Sequence, residues 1–141
     1  ADALAVAQLN AARLQAAEQM DFPLGSVWQP VAAPEVLDIE ILNPPYIAEA
    51  EQDALQPEVR DWEPPGALFA AADGLSVVRE IVAGAAAHVR VGGLLALELG
   101  TTQVEQVAAE IGATGCFEAI NIVRDLAGRN RVVTALRKAE S

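Results

Sequence analysis

Apolar residues recur along this chain with two different periods, and the places where the period changes lay out its elements. Over residues 2 to 19, Leu4, Ala7, Ala11 and Leu14 fall at offsets of three, seven and ten, which puts them on one helical face, with the acidic Asp2 at the helix start. The clearest helical pattern runs through Leu75, Val78, Val82, Ala85 and Val89, with Asp73 as its cap and Gly92-Gly93 as its stop. A third helix carries Val104, Val107, Ala108 and Ile111 on one face. Residues 37 to 42 read as a strand, and Leu94 to Leu99 is the nearly continuous apolar run of a strand covered on both faces. Phe117 to Val123 and Arg131 to Arg137 are two further β-like runs, spaced for an antiparallel pair with a generous turn.

Between these elements, Phe22 to Pro34 carries Pro23, Gly25, Pro30 and Pro34 and reads as loop, with at most a short strand leading into Trp28. Ala48 to Gly66 is polar, acidic and proline-bearing, longer than most connections in a compact domain, as functional loops often are. The order from residue 37 onward is therefore strand, helix, strand, helix, then two strands: an α/β sheet that ends in a hairpin.

With 141 residues, 52% apolar and 21% charged, the composition is that of one packed domain rather than a disordered chain. No apolar run approaches the roughly 20 residues that span a bilayer, so no membrane association is expected. Nine basic against twenty acidic residues give a net charge of −11, which opposes a broad grip on a phosphate backbone and makes nucleic acid an unfavoured partner. The single cysteine, Cys116, excludes an internal disulfide and a multi-cysteine metal site, in keeping with a reducing, cytoplasmic setting and a small buried side chain beside Phe117. His88, the only histidine, stands near a helix end, where it can cap carbonyls; no metal site is expected. Ala1 opens almost at once on a helical pattern, without an initiator Met or a signal-like segment, as expected of a chain that begins within a domain.

The residues with the most chemistry follow the first strand. In Asn43-Pro44-Pro45-Tyr46 each proline lacks an N–H, fixes its own φ and keeps the preceding residue out of the helical region, so the segment is stiff and offers unpaired carbonyls beside an amide side chain and a flat ring. Such an array suits a planar nitrogen substrate. An amide nitrogen is a poor nucleophile because its lone pair is delocalised, so acceptors that fix its N–H groups matter more than a strong base. The Asn43 side-chain oxygen and the Pro44 carbonyl can each accept one N–H, while Tyr46 stacks on the amide plane. The plainer reading is a rigid turn with Tyr46 as packing.

Five blocks resemble the release-factor glutamine methyltransferases of the HemK/PrmC type. They are Asp2 to Asn10, Leu42 to Ile47, Val59-Arg60 with Glu63-Pro64 and Ala67-Leu68, Gly92 to Gly100, and Arg124 to Val133. The Asn-Pro-Pro-Tyr sequence by itself resembles several amino-group methyltransferases, including adenine-N6 and guanine-N2 enzymes of nucleic acid, which stand as the alternative. The closing Arg124 to Val133 block resembles the release-factor branch in particular.

The resemblance implies a doubly wound, Rossmann-like class I methyltransferase sheet, mostly parallel and ending in an antiparallel hairpin, with 1–141 as a partial domain. The first strands, the Gly-rich cofactor loop and the N-terminal helical domain fall outside this chain, and upstream residues or another chain would supply the missing strands. It implies S-adenosylmethionine as cofactor and the glutamine-bearing loop of a peptide chain release factor as substrate. Asn43 and Tyr46 are then the catalytic candidates; Asn43, Pro44, Pro45, Tyr46 and Glu63 the substrate-binding ones; Trp28 and Asn43 the cofactor-binding ones. Glu63 either fixes the substrate loop or caps a turn. Trp28 is either an adenine neighbour or core, and Arg124, Asp125, Arg129 and Arg131 read as a surface ion-pair cluster shaping the last hairpin. Two positions depart from the family pattern: Val27 stands where an acidic residue commonly precedes the tryptophan, and Glu40 occupies a strand position usually apolar, so it should be exposed, paired or protonated. A non-catalytic fragment that keeps the slot without the cofactor loop is the third reading.

Overall fold

The computed structural model describes residues 2–31, 36–48, 62, 64–68, 70 and 74–139. The chain divides into two units, Ala1–Ala32 and Ala33–Ser141.

In the first unit, α1 spans Asp2–Arg13. Its expected apolar face is partly realised: Ala11 is buried and Leu4 and Ala7 are half-buried, but Leu14 is 78% exposed. The helix therefore stops at Arg13 rather than running to residue 19. Gln15 turns to φ 57, and only a short 3-10 turn, Ala17–Gln19, follows. No strand leads into Trp28 among the described residues. The segment folds as turns instead, with Gln29 N–H on the Ser26 carbonyl at 2.9 Å and Val31 N–H on the Trp28 carbonyl at 3.1 Å.

The second unit holds one open sheet: β1 (Leu37–Leu42), β2 (Val89–Glu98), β3 (Phe117–Arg124) and β4 (Asn130–Arg137), in the order β1-β2-β4-β3. β1 pairs with β2 in parallel, and the antiparallel pairs β2–β4 and β4–β3 complete it, so the expected hairpin closes a mixed α/β sheet. The helices are α2 (Pro65–Leu68), α3 (Ser76–His88) and α4 (Val104–Ala113). α3 packs on β2, α4 packs on β3 and β4, and the helices touch each other, which places both on one face. There Val78, Ile81 and Ala85 of α3 and Val104, Val107 and Ile111 of α4 meet Leu95, Leu97, Val133 and Ala135 to form the core. Each fully buried Leu or Ile contributes about 2 kcal/mol relative to exposure. Among the described residues no helix is long and apolar enough to cross a membrane.

α3 and β2 differ from their expected limits for a local reason. The helix ends at His88, and Val89 at φ −88, ψ 128 starts the strand while still closing the last turn on the Ala85 carbonyl. Val89 and Val91 favour extended backbone. Gly92 and Gly93, expected to stop the helix, lie inside β2 instead: Leu37 pairs with Val89 but Ile39 with Leu94, so the residues between bulge out. Gly92 takes φ 73 there, and a Cβ on Gly93 would stand 2.9 Å from the Asp38 carbonyl. Asp73 lies outside the described residues, and Leu75 occupies the cap position without a side-chain cap bond.

At the opposite end of the sheet the ion-pair cluster expected from the sequence is only partly formed. Asp125 accepts the N–H groups of Ala127 and Arg129 at 2.9 Å each and pairs with the Arg129 guanidinium, which shapes the turn as expected. The backbone bond from Arg129 does most to hold the Asp125 carboxyl below its usual range. Arg131 turns elsewhere. Cys116 is half-buried, with its Sγ 3.4 Å from the Thr114 carbonyl.

Glu40 lies on the covered side of β1, 8% exposed, and its Oε2 has no hydrogen-bond partner among the described residues. Desolvation pushes its pKa up to about 7, so of the three fates open to it the structure favours protonation. Because the folded pKa is raised, the folded state binds more protons than the unfolded state from about pH 4.5 to 7. Stability therefore falls as pH rises through that window, by at most about 3 kcal/mol for a shift of this size. Urea titrations at pH 5 and pH 8 should show a smaller loss in Glu40→Gln than in the wild type; equal losses would show that Glu40 stays charged or solvated in the folded protein.

Candidate active site

The tetrapeptide leaves β1 at its carboxyl end, and the parallel register Leu42 on Leu97 sets Asn43 level with Glu98 at the end of β2. Asn43 is exposed, Pro44 buried, and Pro45 and Tyr46 half-buried. Two cavities flank the segment. A small one of about 100 Å³ is lined by Asn43, Pro44, Tyr46, Ile47, Ala67 and Leu68. A larger, more apolar one of about 280 Å³ is lined by Ile41, Leu42, Asn43, Ala96, Glu98 and Val132. Asn43 belongs to both. Behind the segment, Ile47 N–H donates to the Leu68 carbonyl and Ala70 N–H to the Ile47 carbonyl, each at 3.0 Å, so the chain returning through α2 becomes the far wall of the small cavity.

Tyr46 is held at both ends. Gln103, in the turn between β2 and α4, donates from Nε2 to the Tyr46 carbonyl at 2.9 Å while its Oε1 accepts the Gly100 N–H at 3.1 Å. Gly74, at φ 70, lies so close that an added Cβ would collide with that same carbonyl. At the other end, Arg131 of β4 donates from Nη2 to the Tyr46 hydroxyl at 2.8 Å and to Glu98 Oε1 at 2.9 Å. Its guanidinium carbon is 5.0 Å from the ring centroid, within cation–π range. Burial works against the charge on Arg131, but the bonds to Tyr46 and Glu98 outweigh it and push its pKa up.

Of the residues singled out from the sequence, Asn43, Pro44 and Tyr46 thus meet around one cavity, with Pro45 between them in the chain. Glu63 lies outside the described residues. Trp28 belongs to the first unit, where Val27 before it has φ 45, a left-handed conformation that a β-branched residue adopts only under strain. Arg131, expected in the surface cluster of the hairpin, instead bonds the Tyr46 hydroxyl and Glu98. Gln103, Gly74, Ala67 and Leu68 were not singled out as site residues. Ala67 and Leu68 stood in one of the resemblance blocks, but nothing local to Gln103 or Gly74 marks either as a neighbour of Tyr46.

No family model matches the chain. Three curated relatives are similar to it, each bearing the name release factor glutamine methyltransferase. That of Cereibacter sphaeroides is 47% identical over 133 residues, covering 94% of this chain and 47% of the relative. That of Gloeobacter violaceus is 42% identical over 131 residues, 93% and 46%. That of Geobacter sulfurreducens is 41% identical over 134 residues, 93% and 45%. The chain thus spans about half the length of the curated relatives it matches. A solved structure of a release factor-specific protein-(glutamine-N5) methyltransferase from Alicyclobacillus acidocaldarius is similar at TM-score 0.47 and 23% identity, over 74% of this chain and 50% of that one.

Gly74→Ala should be costlier than the same change at Gly128. Both have positive φ, which costs an alanine roughly 1 kcal/mol, but Gly128 has open space around it whereas Gly74 faces the Tyr46 carbonyl. Urea unfolding should place Gly74→Ala at least about 1 kcal/mol below Gly128→Ala; equal losses would mean that the contact with Tyr46 is not tight in solution.

Proposed function

We propose that this chain, which is homologous over nearly all of its length to the release factor glutamine methyltransferases and matches about half of theirs, carries the substrate slot of a protein glutamine N-methyltransferase. On this reading 1–141 is a partial methyltransferase domain. The observation that carries it is the paired cavities meeting at Asn43, the smaller closed by Tyr46. The substrate is the glutamine side chain of a peptide chain release factor. Its flat amide enters between Asn43, Pro44 and Tyr46, the Asn43 side-chain oxygen and Pro44 carbonyl accept its two N–H groups, and the ring covers its plane. Acceptors fixed in this way raise electron density on nitrogen and hold it in place, which is positioning and electrostatics rather than base catalysis.

The larger cavity is a fitting place for part of S-adenosylmethionine. It lies outside the carboxyl ends of the parallel pair, where open α/β sheets bind ligands, and its mainly apolar lining holds the Glu98 carboxylate and the Asn43 amide. When bound, that cofactor supplies an electrophilic methyl group on a sulfonium. Asn43, common to both cavities, would face donor and acceptor alike. Glu63 would help to fix the substrate loop. A nucleic-acid amino methyltransferase could use the same tetrapeptide, but a charge of −11 opposes binding to a phosphate backbone.

β1 pairs on one side only among the described strands, and Ile39 and Ile41 are 57% and 76% exposed. An apolar edge of this kind invites pairing with another strand. On our reading, upstream residues or a second chain cover it. An intact mass of 14.8 kDa together with a monomeric state in solution would defeat that part of the proposal.

Labelled methyl should pass from S-adenosylmethionine to release factor and not to DNA or RNA, and Asn43→Ala should lower kcat/KM about 10²-fold. Transfer to nucleic acid alone would reverse the assignment. Calorimetric titration with S-adenosylhomocysteine, comparing this chain with an upstream extension, locates the cofactor seat: binding by the extension alone marks the chain as a fragment, and binding by neither removes the enzyme reading.

A further inference from the structure

We infer that Arg131, oriented by Glu98, is a positioning residue that sets the width of the amide slot by fixing the ring of Tyr46. The inference deepens the proposed function and rests on it for what the slot holds; the contact itself stands on geometry.

Tyr46 forms one wall of a cavity of only about 100 Å³, so a small displacement of its ring decides whether a flat amide is held or merely admitted. A tyrosine ring has two soft torsions, χ1 swinging the ring and χ2 turning it about its long axis. Arg131 acts on both. The bond from Nη2 to the hydroxyl at 2.8 Å anchors the far end against swinging, and the guanidinium 5.0 Å from the centroid resists turning. With the Tyr46 carbonyl tied to Gln103, backbone and ring tip are fixed from different elements.

Arg131 is itself constrained. Its side chain is 17% exposed, and Glu98 Oε1 takes the same Nη2 that reaches the hydroxyl. The carboxylate thereby fixes the direction of the guanidinium and compensates its charge. Lysine supplies charge without the planar fork, so it can replace one of these contacts but not the set. Arg131 reaches Tyr46 from β4, 85 residues further along the chain, which gives the terminal hairpin a role at the slot beyond closing the sheet.

The chain has a single tyrosine, so the Raman tyrosine doublet, which senses the hydrogen-bonding role of the hydroxyl, reports Tyr46 alone. In the wild type it should read as a hydroxyl accepting a strong bond. It should shift toward that of a solvated phenol in Arg131→Met, and part of the way in Arg131→Lys, with far-UV circular dichroism unchanged. An identical doublet in wild type and Arg131→Met would overturn the inference. Should Arg131→Met not fold, Glu98→Gln takes its place, with a smaller shift in the same direction expected and no shift counting against it. In methyl transfer to a glutamine peptide by the full-length enzyme, Arg131→Met should lower kcat about tenfold while changing peptide KM less than twofold, and Arg131→Lys should recover part of the loss. A change confined to KM, or none, would reject a positioning role. Absence of glutamine methylation by the wild type would instead reject the proposed function, and the Raman comparison would still decide whether Arg131 fixes Tyr46.

Discussion

Parallel pairing of β1 with β2, from Ile39 on Leu94 to Leu42 on Leu97, brings two carboxyl ends level, and every feature of the site is arranged around that edge. A parallel pair cannot be joined by a tight turn; it needs a crossover that leaves one end of the sheet and returns to the other. Here the crossover runs from Asn43 to His88, and it does more than connect. Its first residues are Asn43 to Tyr46, Ala67 and Leu68 of α2 come back as the opposite wall, and Gly74 lets the start of α3 pass close to the Tyr46 carbonyl. The topology that forces a long connection also supplies the material from which the small cavity is built.

Within that frame, the position of Tyr46 is a contest between ordering a large side chain and the bonds that hold it. Fixing its rotamers costs on the order of 1 kcal/mol. The neutral bond from Gln103 returns about 1 kcal/mol, and the charge-assisted bond from Arg131 about 2 kcal/mol. The balance favours a fixed ring, held at its hydroxyl by Arg131 and at its backbone by Gln103. Pro44 and Pro45 reduce the cost further, because their backbone was stiff before folding. The result is a stiff segment whose last residue is held at both ends.

The parts of this arrangement that were legible in the sequence are those whose information is contiguous. Asn43 to Tyr46 stood out as a stiff candidate segment because two prolines, an amide and a ring stand in one run, and β1, α4, β3 and β4 were marked by their apolar runs and periodicity. Where two signals met, local geometry decided. Val89 fits the apolar face of α3 as well as the core side of β2, and its extended conformation gave it to the strand, drawing Gly92-Gly93 into a bulge. Leu14 fits the face of α1 but lies beyond its end. Residues acting over long separations carried no such mark: Gln103 and Arg131 lie 57 and 85 residues from Tyr46, and only the sheet order brings them to it. Arg131 sat in a run of charges that reads as a solvated cluster, and the Asp125–Arg129 pair shows that half of that reading holds.

Glu40 and Glu98, on neighbouring strands, show how partners rather than residue type set the state of a carboxylate. Glu98 stands at a strand end, 42% exposed in its side chain, with the Arg131 guanidinium 2.9 Å away. Its charge is both solvated and paired. Glu40 points to the covered side, opposite Leu95, with an oxygen that finds no donor among the described residues, and desolvation pushes its pKa to about 7. A buried carboxylate without a donor is costly to keep charged and tolerable when neutral.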